Sequence, residues 1–138
     1  MTELTLAAAQ TIVATALKHA RDNKYNNIAI VVLDGRGSLK ASAAEDGTSL
    51  MRWKVAFGKA WGAGSKRIEK IAIERPHFMA AAAHLADGGI LPVGGGVLIR
   101  DNEKKIIGAV GISGDTSDND EAAGIAGIIA AGHQADGG

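Results

Sequence analysis

Cysteine is absent from the chain, and aromatic residues are scarce: two tryptophans, one tyrosine and two phenylalanines among 138 residues. Without cysteine there are no disulfides, no thiolate nucleophile and no cysteine-based zinc or iron–sulfur site. Because aromatic rings are so few, the core must be built mainly from aliphatic side chains.

An excess of one charge is also lacking, since fifteen basic residues balance fifteen acidic ones. The overall charge therefore attracts the chain neither to nucleic acid nor to an anionic membrane surface. No apolar run approaches the roughly 20 residues that span a bilayer, and residues 1–4 lack the basic and apolar regions of a signal peptide. We expect a cytoplasmic protein without nucleic-acid or membrane partners.

Glycine, by contrast, is abundant, with 19 copies. Small residues let backbones approach closely, both within a fold and between subunits. A chain of this length buries about two-thirds of the surface that its unfolded form exposes. We therefore expect residues 1–138 to form a single domain that needs no covalent cross-link.

Hydrophobic periodicity and turn residues predict an α+β fold. Thr2 or Thr5 can cap the first helix, and Pro76 suits the first turn of a later one. Because successive strands are joined by short turns, we expect a sheet that is antiparallel for most of its width, with helices packed on it. The predicted elements are helix 3–22, strands 28–33 and 38–44, helices 49–62, 65–73 and 77–86, a hairpin over 90–114 with its turn at 101–105 and a short strand at 90–91, and helix 118–133, with residues 136–138 frayed.

The strongest candidate for a site is the acidic corner, residues 113–121. It joins the end of a strand, Ser113-Gly114, to the start of a helix that carries four acidic residues: Asp115, Asp118, Asp120 and Glu121. Ser117 or Asp118 can cap this helix, and first-turn carboxylates interact well with its dipole. Capping explains two or three of the four acidic groups. The corner is therefore either purely structural or the lining of a ligand or cation site.

Gly94-Gly95-Gly96 precedes the first strand of the same hairpin. It is not a nucleotide phosphate loop, because the Lys-Ser/Thr pair of such loops is missing and a strand rather than a helix follows. The glycines predict either a sharp entry into the strand or a ligand that lies against bare backbone.

The predicted helix 49–62 carries Trp53, Phe57 and Trp61 at i, i+4 and i+8, on one stripe. The stripe predicts core or interface packing, or else a flat apolar wall for a planar ligand. Lys59 either extends its amine to solvent or, in a closed pocket, binds an anion or transfers a proton. No metal site is predicted, because the spacing of the four histidines suits no shared metal: His19, His77, His84 and His133.

Two segments in the last third, residues 91–101 and 107–114, together with Asp120-Glu121, resemble the GlcG/HbpS family, also called the haem-degrading or PduO C-terminal-like domain. In the first half, residues 30–35 and the pattern Ala56-x-x-Lys59-Ala60 agree with the same family. The resemblance extends over residues 4–132.

The resemblance implies an α/β sandwich with a profilin-like antiparallel sheet of about five strands. It also implies a large homo-oligomer, for which an octamer is one candidate size. Some relatives bind haem or handle iron, and many have no assigned reaction, so the implied ligand is haem or an unknown small molecule. By position, the resemblance implies a pocket lined by Lys59, Gly95, Gly96, Ser113, Gly114, Asp120 and Glu121.

Three functions stay open. In the first, an oligomeric protein holds haem or a small molecule between the helix at 53–61 and the acidic corner, with contacts from Trp53, Gly95, Gly96, Ser113 and Gly114. In the second, an enzyme of a catabolic operon uses Lys59, Asp120 and Glu121 as acid and base on a small oxygenated catabolite. In the third, the chain is a structural or chaperone-like subunit, because its last helix is rich in glycine and alanine.

Overall fold

A computed structural model describes residues 3–62, 65–86 and 89–138, and of residues 65, 66 and 68 the backbone alone. Thr2, one of the two predicted caps, lies outside the described residues, and the Thr5 side chain caps the first helix by accepting from the Ala8 N–H. The described elements are α1 (Leu6–Asp22), β1 (Ala29–Asp34), β2 (Leu39–Ala44), α2 (Arg52–Trp61), α3 (Ser65–Glu74), α4 (Pro76–Leu85), β3 (Gly96–Arg100), β4 (Ile106–Ser113), α5 (Ser117–Ala130) and β5 (Gln134–Asp136).

The strands form one sheet in the order β2-β1-β4-β3-β5, and every neighbouring pair is antiparallel. The two central strands, β1 and β4, are the longest apolar runs, and nearly all of their residues are buried. The predicted α+β class and the antiparallel five-stranded sheet are confirmed.

Helices cover both faces of the sheet. On one face, Ile12 of α1 and Ile128 of α5 pack against inward residues of β1, β3 and β4, among them Ile30 and Val110. On the other face, Ala56 and Ala60 of α2 pack against β1. There α2 lies directly on β4, since a Cβ at Gly111 would be 1.9 Å from the Ala56 carbonyl oxygen.

The predicted fifth strand was wrong. Residues 90–91 form no strand, and the fifth strand is β5, at the end that was expected to fray. β5 pairs with β3, and the Asp136 carboxylate accepts from Arg100 Nε at 2.8 Å and from Arg67 Nη2 at 3.2 Å. These partners come from distant parts of the chain, so the local pattern of a short polar tail could not reveal them.

The helices α3 and α4 pack mainly against each other rather than on the sheet. Their large apolar side chains Ile73, Phe78 and Leu85 are exposed, Leu85 at 88%. Among the described residues, no helix is long and apolar enough to cross a membrane.

Candidate functional site

Lys59 links α2 to the acidic corner. Its ammonium group donates to the Ile112 carbonyl oxygen at 2.9 Å and to Asp120 Oδ2 at 3.1 Å. The residue is only 5% exposed. Lys59 therefore points into the protein, as the second of its two predicted placements requires, and not to solvent.

Asp120 receives this lysine from the first turn of α5. It is 1% exposed, and its second oxygen, Oδ1, accepts from the Asp115 N–H at 2.9 Å. Burial raises the pKa of Asp120, although the Asp115 N–H and the charge of Lys59 both oppose this shift. Both carboxylate oxygens thus have partners inside the corner.

Gly95 makes the close approach of Lys59 possible. Its φ is +110°, and a Cβ at this position would lie 2.8 Å from Lys59 Nζ. Its carbonyl oxygen accepts from the Ile112 N–H at 3.0 Å, and Gly96 begins β3 opposite Gly111. The glycines therefore form a sharp entry into β3 that leaves space for the lysine amine.

Thr116 caps α5, in place of the predicted Ser117 or Asp118, by accepting from the Asn119 N–H at 3.2 Å. This cap falls one residue earlier because Thr116 has the extended backbone of a capping residue. Asp115 does not cap the helix either. Its two oxygens accept from the Asn26 N–H at 2.8 Å and from Asn119 Nδ2 at 2.6 Å, and these hydrogen bonds lower its pKa.

The rest of the corner is also closely packed. A Cβ at Gly114 would be 2.2 Å from the Asn27 carbonyl oxygen, and one at Gly137 would be 2.1 Å from Glu121 Oε1. Glu121 is 8% exposed, so the C-terminal segment covers its carboxylate. The described residues contain no group of three histidine, aspartate or glutamate side chains that could hold a metal ion.

The aromatic stripe of α2 lies on a different side of the helix from Lys59. Phe57 and Trp61 are each two residues from Lys59, which is about 200° around a helix. Trp53 is 42% and Trp61 46% exposed, and Trp53 stacks on Phe57 with ring centres 5.6 Å apart. At Lys59, α2 and the corner are in direct contact, which leaves no space for a ligand between them at this point.

Two surface clefts lie away from the corner, at the other end of the sheet. The larger, about 630 Å³, lies between the β1–β2 and β3–β4 turns, and its lining includes Asp34, Arg36 and Asp101. The smaller, about 260 Å³, is lined by Trp61, Leu98 and Ala109 among others. Neither cleft is lined by the predicted catalytic or ligand-contact residues, although the smaller one includes Trp61 of the predicted aromatic stripe.

Arg52 is a neighbour of the corner that the sequence analysis missed. Its Nη1 donates to Ser113 Oγ at 3.1 Å, and Ser113 is fully buried. The spacing could have indicated it, because Arg52 precedes Lys59 by seven residues and so lies two turns away on the same helix face. The structure thus joins two cations of α2 to the corner, one at Ser113 and one at Asp120.

The chemistry of this arrangement is that of a buried, hydrogen-bonded ion pair with a second cation at its edge. The protons of Lys59 already point at two oxygens, so its amine is held as a donor. Arg52 is only half-buried, and its guanidinium can be reached from solvent beside Trp53.

Comparison with known proteins gives a family and a fold. A profile described as haem-degrading protein HbpS-like matches residues 4–129. The chain is similar in structure to HbpS, at 23% identity over 94% of this chain and 90% of that one, with a TM-score of 0.78. No curated protein sequence matches the chain significantly.

Two further structures share the fold. The Klebsiella pneumoniae protein ORFY is 24% identical over 96% of this chain and 93% of that one, with a TM-score of 0.84. The PduOC–haem complex is 18% identical over 94% and 95%, with a TM-score of 0.81. The profile match covers most of the sequence, and the predicted family is confirmed: the chain belongs to the HbpS-like family.

Proposed function

We propose that this protein binds haem or a related planar molecule, and that it does so as a homo-oligomer. The observation that carries the proposal is the stacked pair Trp53 and Phe57, whose tryptophan is 42% exposed and directly follows Arg52, a residue that donates to Ser113 of the corner. An exposed, stacked aromatic pair offers a flat apolar surface, which suits a planar ring. Membership of the HbpS-like family and the fold shared with a PduOC–haem complex support the choice of haem.

The ligand would lie at the N-terminal end of α2, at the edge of the contact between this helix and the corner. This placement keeps the predicted Trp53, Ser113 and Gly114 near the ligand. Lys59 and Asp120 then hold the helix against the corner, and Gly95 and Gly96 shape the strand beside them.

The histidines fit this role less well than the aromatic pair. They lie on α1, on α4 and after α5, and within the described ranges none forms a hydrogen bond with a corner residue. The proposal therefore assigns the haem ring to the aromatic pair. It assigns no axial ligand to the iron.

Exposed apolar side chains support the oligomer. Besides Ile73, Phe78 and Leu85, the residues Leu50 and Met51 before α2 are exposed at 102% and 71%. Soluble monomers seldom leave so many large apolar groups in water, and such surfaces mark interaction sites. A second copy of the chain is the partner that a homo-oligomer provides.

Titration with hemin tests the proposed function. We expect a saturable shift of the Soret band at one hemin per chain, together with quenching of tryptophan fluorescence. If micromolar hemin gives no saturable shift with the full-length oligomer, the haem form of the proposal is wrong.

An enzyme is the second candidate, and the buried Lys59–Asp120 pair favours it. Burial raises the pKa of Asp120, and shifted carboxylates next to amines are typical of acid–base sites. A substrate that co-purifies in a native mass spectrum would permit the test. Full turnover of that substrate by Lys59→Ala and Glu121→Gln variants would rule out this function.

A further inference from the structure

Arg52 donates to a residue of the acidic corner. Its environment differs from that of arginines that are paired with a carboxylate. Arg21 binds Glu45 at 2.9 Å, and Arg100 binds Asp136 at 2.8 Å. Arg52 is half-buried and donates to the Ser113 hydroxyl. Within the ranges that the structure describes, it has no carboxylate partner.

A guanidinium group carries five N–H donors in a planar fork, and a carboxylate fills two of them at once. A single hydroxyl fills one donor and supplies no opposite charge. Because a partly desolvated charge is stabilised by a counter-ion, Arg52 is prepared to accept an anion from outside the chain.

The acidic groups nearby do not serve as that anion. Asp120 is already paired with Lys59, and Asp115 accepts from Asn26 and Asn119. Both carboxylates thus have partners other than Arg52, and the remaining donors of Arg52 are not used by either of them.

The chain next to Arg52 carries three exposed apolar side chains, together with the exposed cation Lys54. Trp53 follows Arg52 directly, and Leu50 and Met51 precede it, all with exposed side chains. A cation within such a surface selects a molecule that has both an apolar body and an acid group.

We propose that Arg52 receives a carboxylate group of the bound ligand, so that the site selects planar molecules that carry a carboxylate over neutral analogues of the same shape. This inference rests on the proposed function and adds the class of ligand. Ser113 acts as a positioning residue, since its hydroxyl holds one edge of the guanidinium and leaves the other edge toward solvent.

The test compares two probes and two arginine variants on the full-length protein. The probes are hemin and hemin dimethyl ester, whose carboxylates are blocked. We expect Arg52→Gln to weaken hemin binding by roughly tenfold to a hundredfold, as loss of a charge-assisted hydrogen bond does. The same variant should change the affinity for the dimethyl ester by less than about threefold. Arg52→Lys keeps the charge without the planar fork of donors. Its affinity for hemin should therefore lie between those of the wild type and Arg52→Gln.

The outcomes separate this inference from the proposed function. If the wild type binds neither probe, the proposed function fails. If the wild type binds hemin and Arg52→Gln binds it equally well, the function stands and the role of Arg52 is wrong. Equal weakening of both probes would also overturn it, since Arg52 would then act only on the structure. Arg75→Gln, an arginine placed over Phe78 on α4, is the matched control and should bind both probes as the wild type does.

Discussion

Lys59 and Asp120 are 61 positions apart in the sequence, yet their side chains meet at 3.1 Å in the protein interior. The contact joins α2 on one face of the sheet to the first turn of α5, which packs on the other face. It therefore ties the two helical layers together at the end of β4 where the acidic corner begins.

The first prediction concerns the stability of this pair. Asp120→Asn and Lys59→Met each leave a buried charge or polar group without its partner, so each should lower the free energy of unfolding by about 3–5 kcal/mol. The double variant Lys59→Met/Asp120→Leu should be less destabilised than the two single changes combined. Urea unfolding at pH 7 measures all three.

The exposed pair Lys18–Asp22 on α1 is the control for that measurement. Loss of the Lys18–Asp22 pair should lower the free energy of unfolding by less than about 1 kcal/mol, since solvent screens exposed ion pairs. Equal effects at the two pairs would show that burial does not make the Lys59–Asp120 contact special.

The second prediction concerns the close contact between α2 and β4. Gly111→Ala would place a methyl group 1.9 Å from the Ala56 carbonyl oxygen, so backbone must move. We expect Gly111→Ala to lower the free energy of unfolding by about 3 kcal/mol or more, which is above the usual range for overpacking. Gly124→Ala is the matched control, because its Cβ would have ordinary contacts of 3.5 Å and alanine favours helix. Thermal unfolding should separate the two variants clearly.

The third prediction separates the two exposed tryptophans of α2. Trp53→Ala should weaken hemin binding by about tenfold or more, because it removes the flat surface beside the corner. Trp61→Ala should leave hemin affinity nearly unchanged, since Trp61 lies against Gly37 at the smaller cleft. Soret titrations measure the hemin affinity of both variants. A larger loss of affinity in Trp61→Ala would contradict the proposed position and place the ligand at the smaller cleft.

The fourth prediction concerns acid stability. Hydrogen bonds from Asn26 and Asn119 lower the pKa of Asp115 below its ordinary value of 3.8. A lowered pKa in the folded state gives stability that is present above the unfolded value and is lost as pH falls through the folded value. Unfolding free energy should therefore drop as pH falls below about 4, the ordinary pKa of an aspartate.

Asp115→Asn should make this drop shallower, since asparagine keeps the acceptor oxygen but does not titrate. Asp118→Asn, an exposed carboxylate of the same corner, is the control and should leave the drop as it is. Denaturation curves at several pH values measure the slopes, and parallel slopes for wild type and Asp115→Asn would contradict the assignment.

The fifth prediction concerns the oligomer. Ile73→Glu and Leu85→Glu place charges on the exposed apolar surface of α3 and α4, so they should shift the protein to smaller species in sedimentation velocity. Leu6→Glu, on the exposed side of α1, should not. A wild-type protein that sediments only as a monomer would refute the proposed assembly.

The elements of the fold could be predicted from local patterns, as two cases show. The apolar run that forms β1 could only be a covered strand, and Thr5 caps α1 as its position suggested. β5 could not be predicted, because three polar and small residues at a chain end become a strand only when β3 and two arginines meet them.

The candidate site shows the same division. The sequence singled out Lys59, Asp120 and the glycines, and the structure brings Lys59, Gly95 and Asp120 into contact. The sequence analysis put Lys59 and the aromatic stripe on the same wall, opposite the corner, although helical geometry alone sets Lys59 about 200° from Phe57 and Trp61. It also missed Arg52, whose importance depends on a serine 61 residues away.

What the sequence by itself determined was which segments become the five helices α1–α5 and the first four strands β1–β4, since periodicity, caps and turn residues act over a few positions. It also determined the absence of thiol chemistry, because the chain has no cysteine. Only the tertiary structure decided where these charges lie: Lys59 is paired with Asp120 in the interior, and the half-buried Arg52 donates to Ser113. The reason is physical, because an ion pair depends on distance and burial in space, and sheet pairing sets both for residues far apart in the chain.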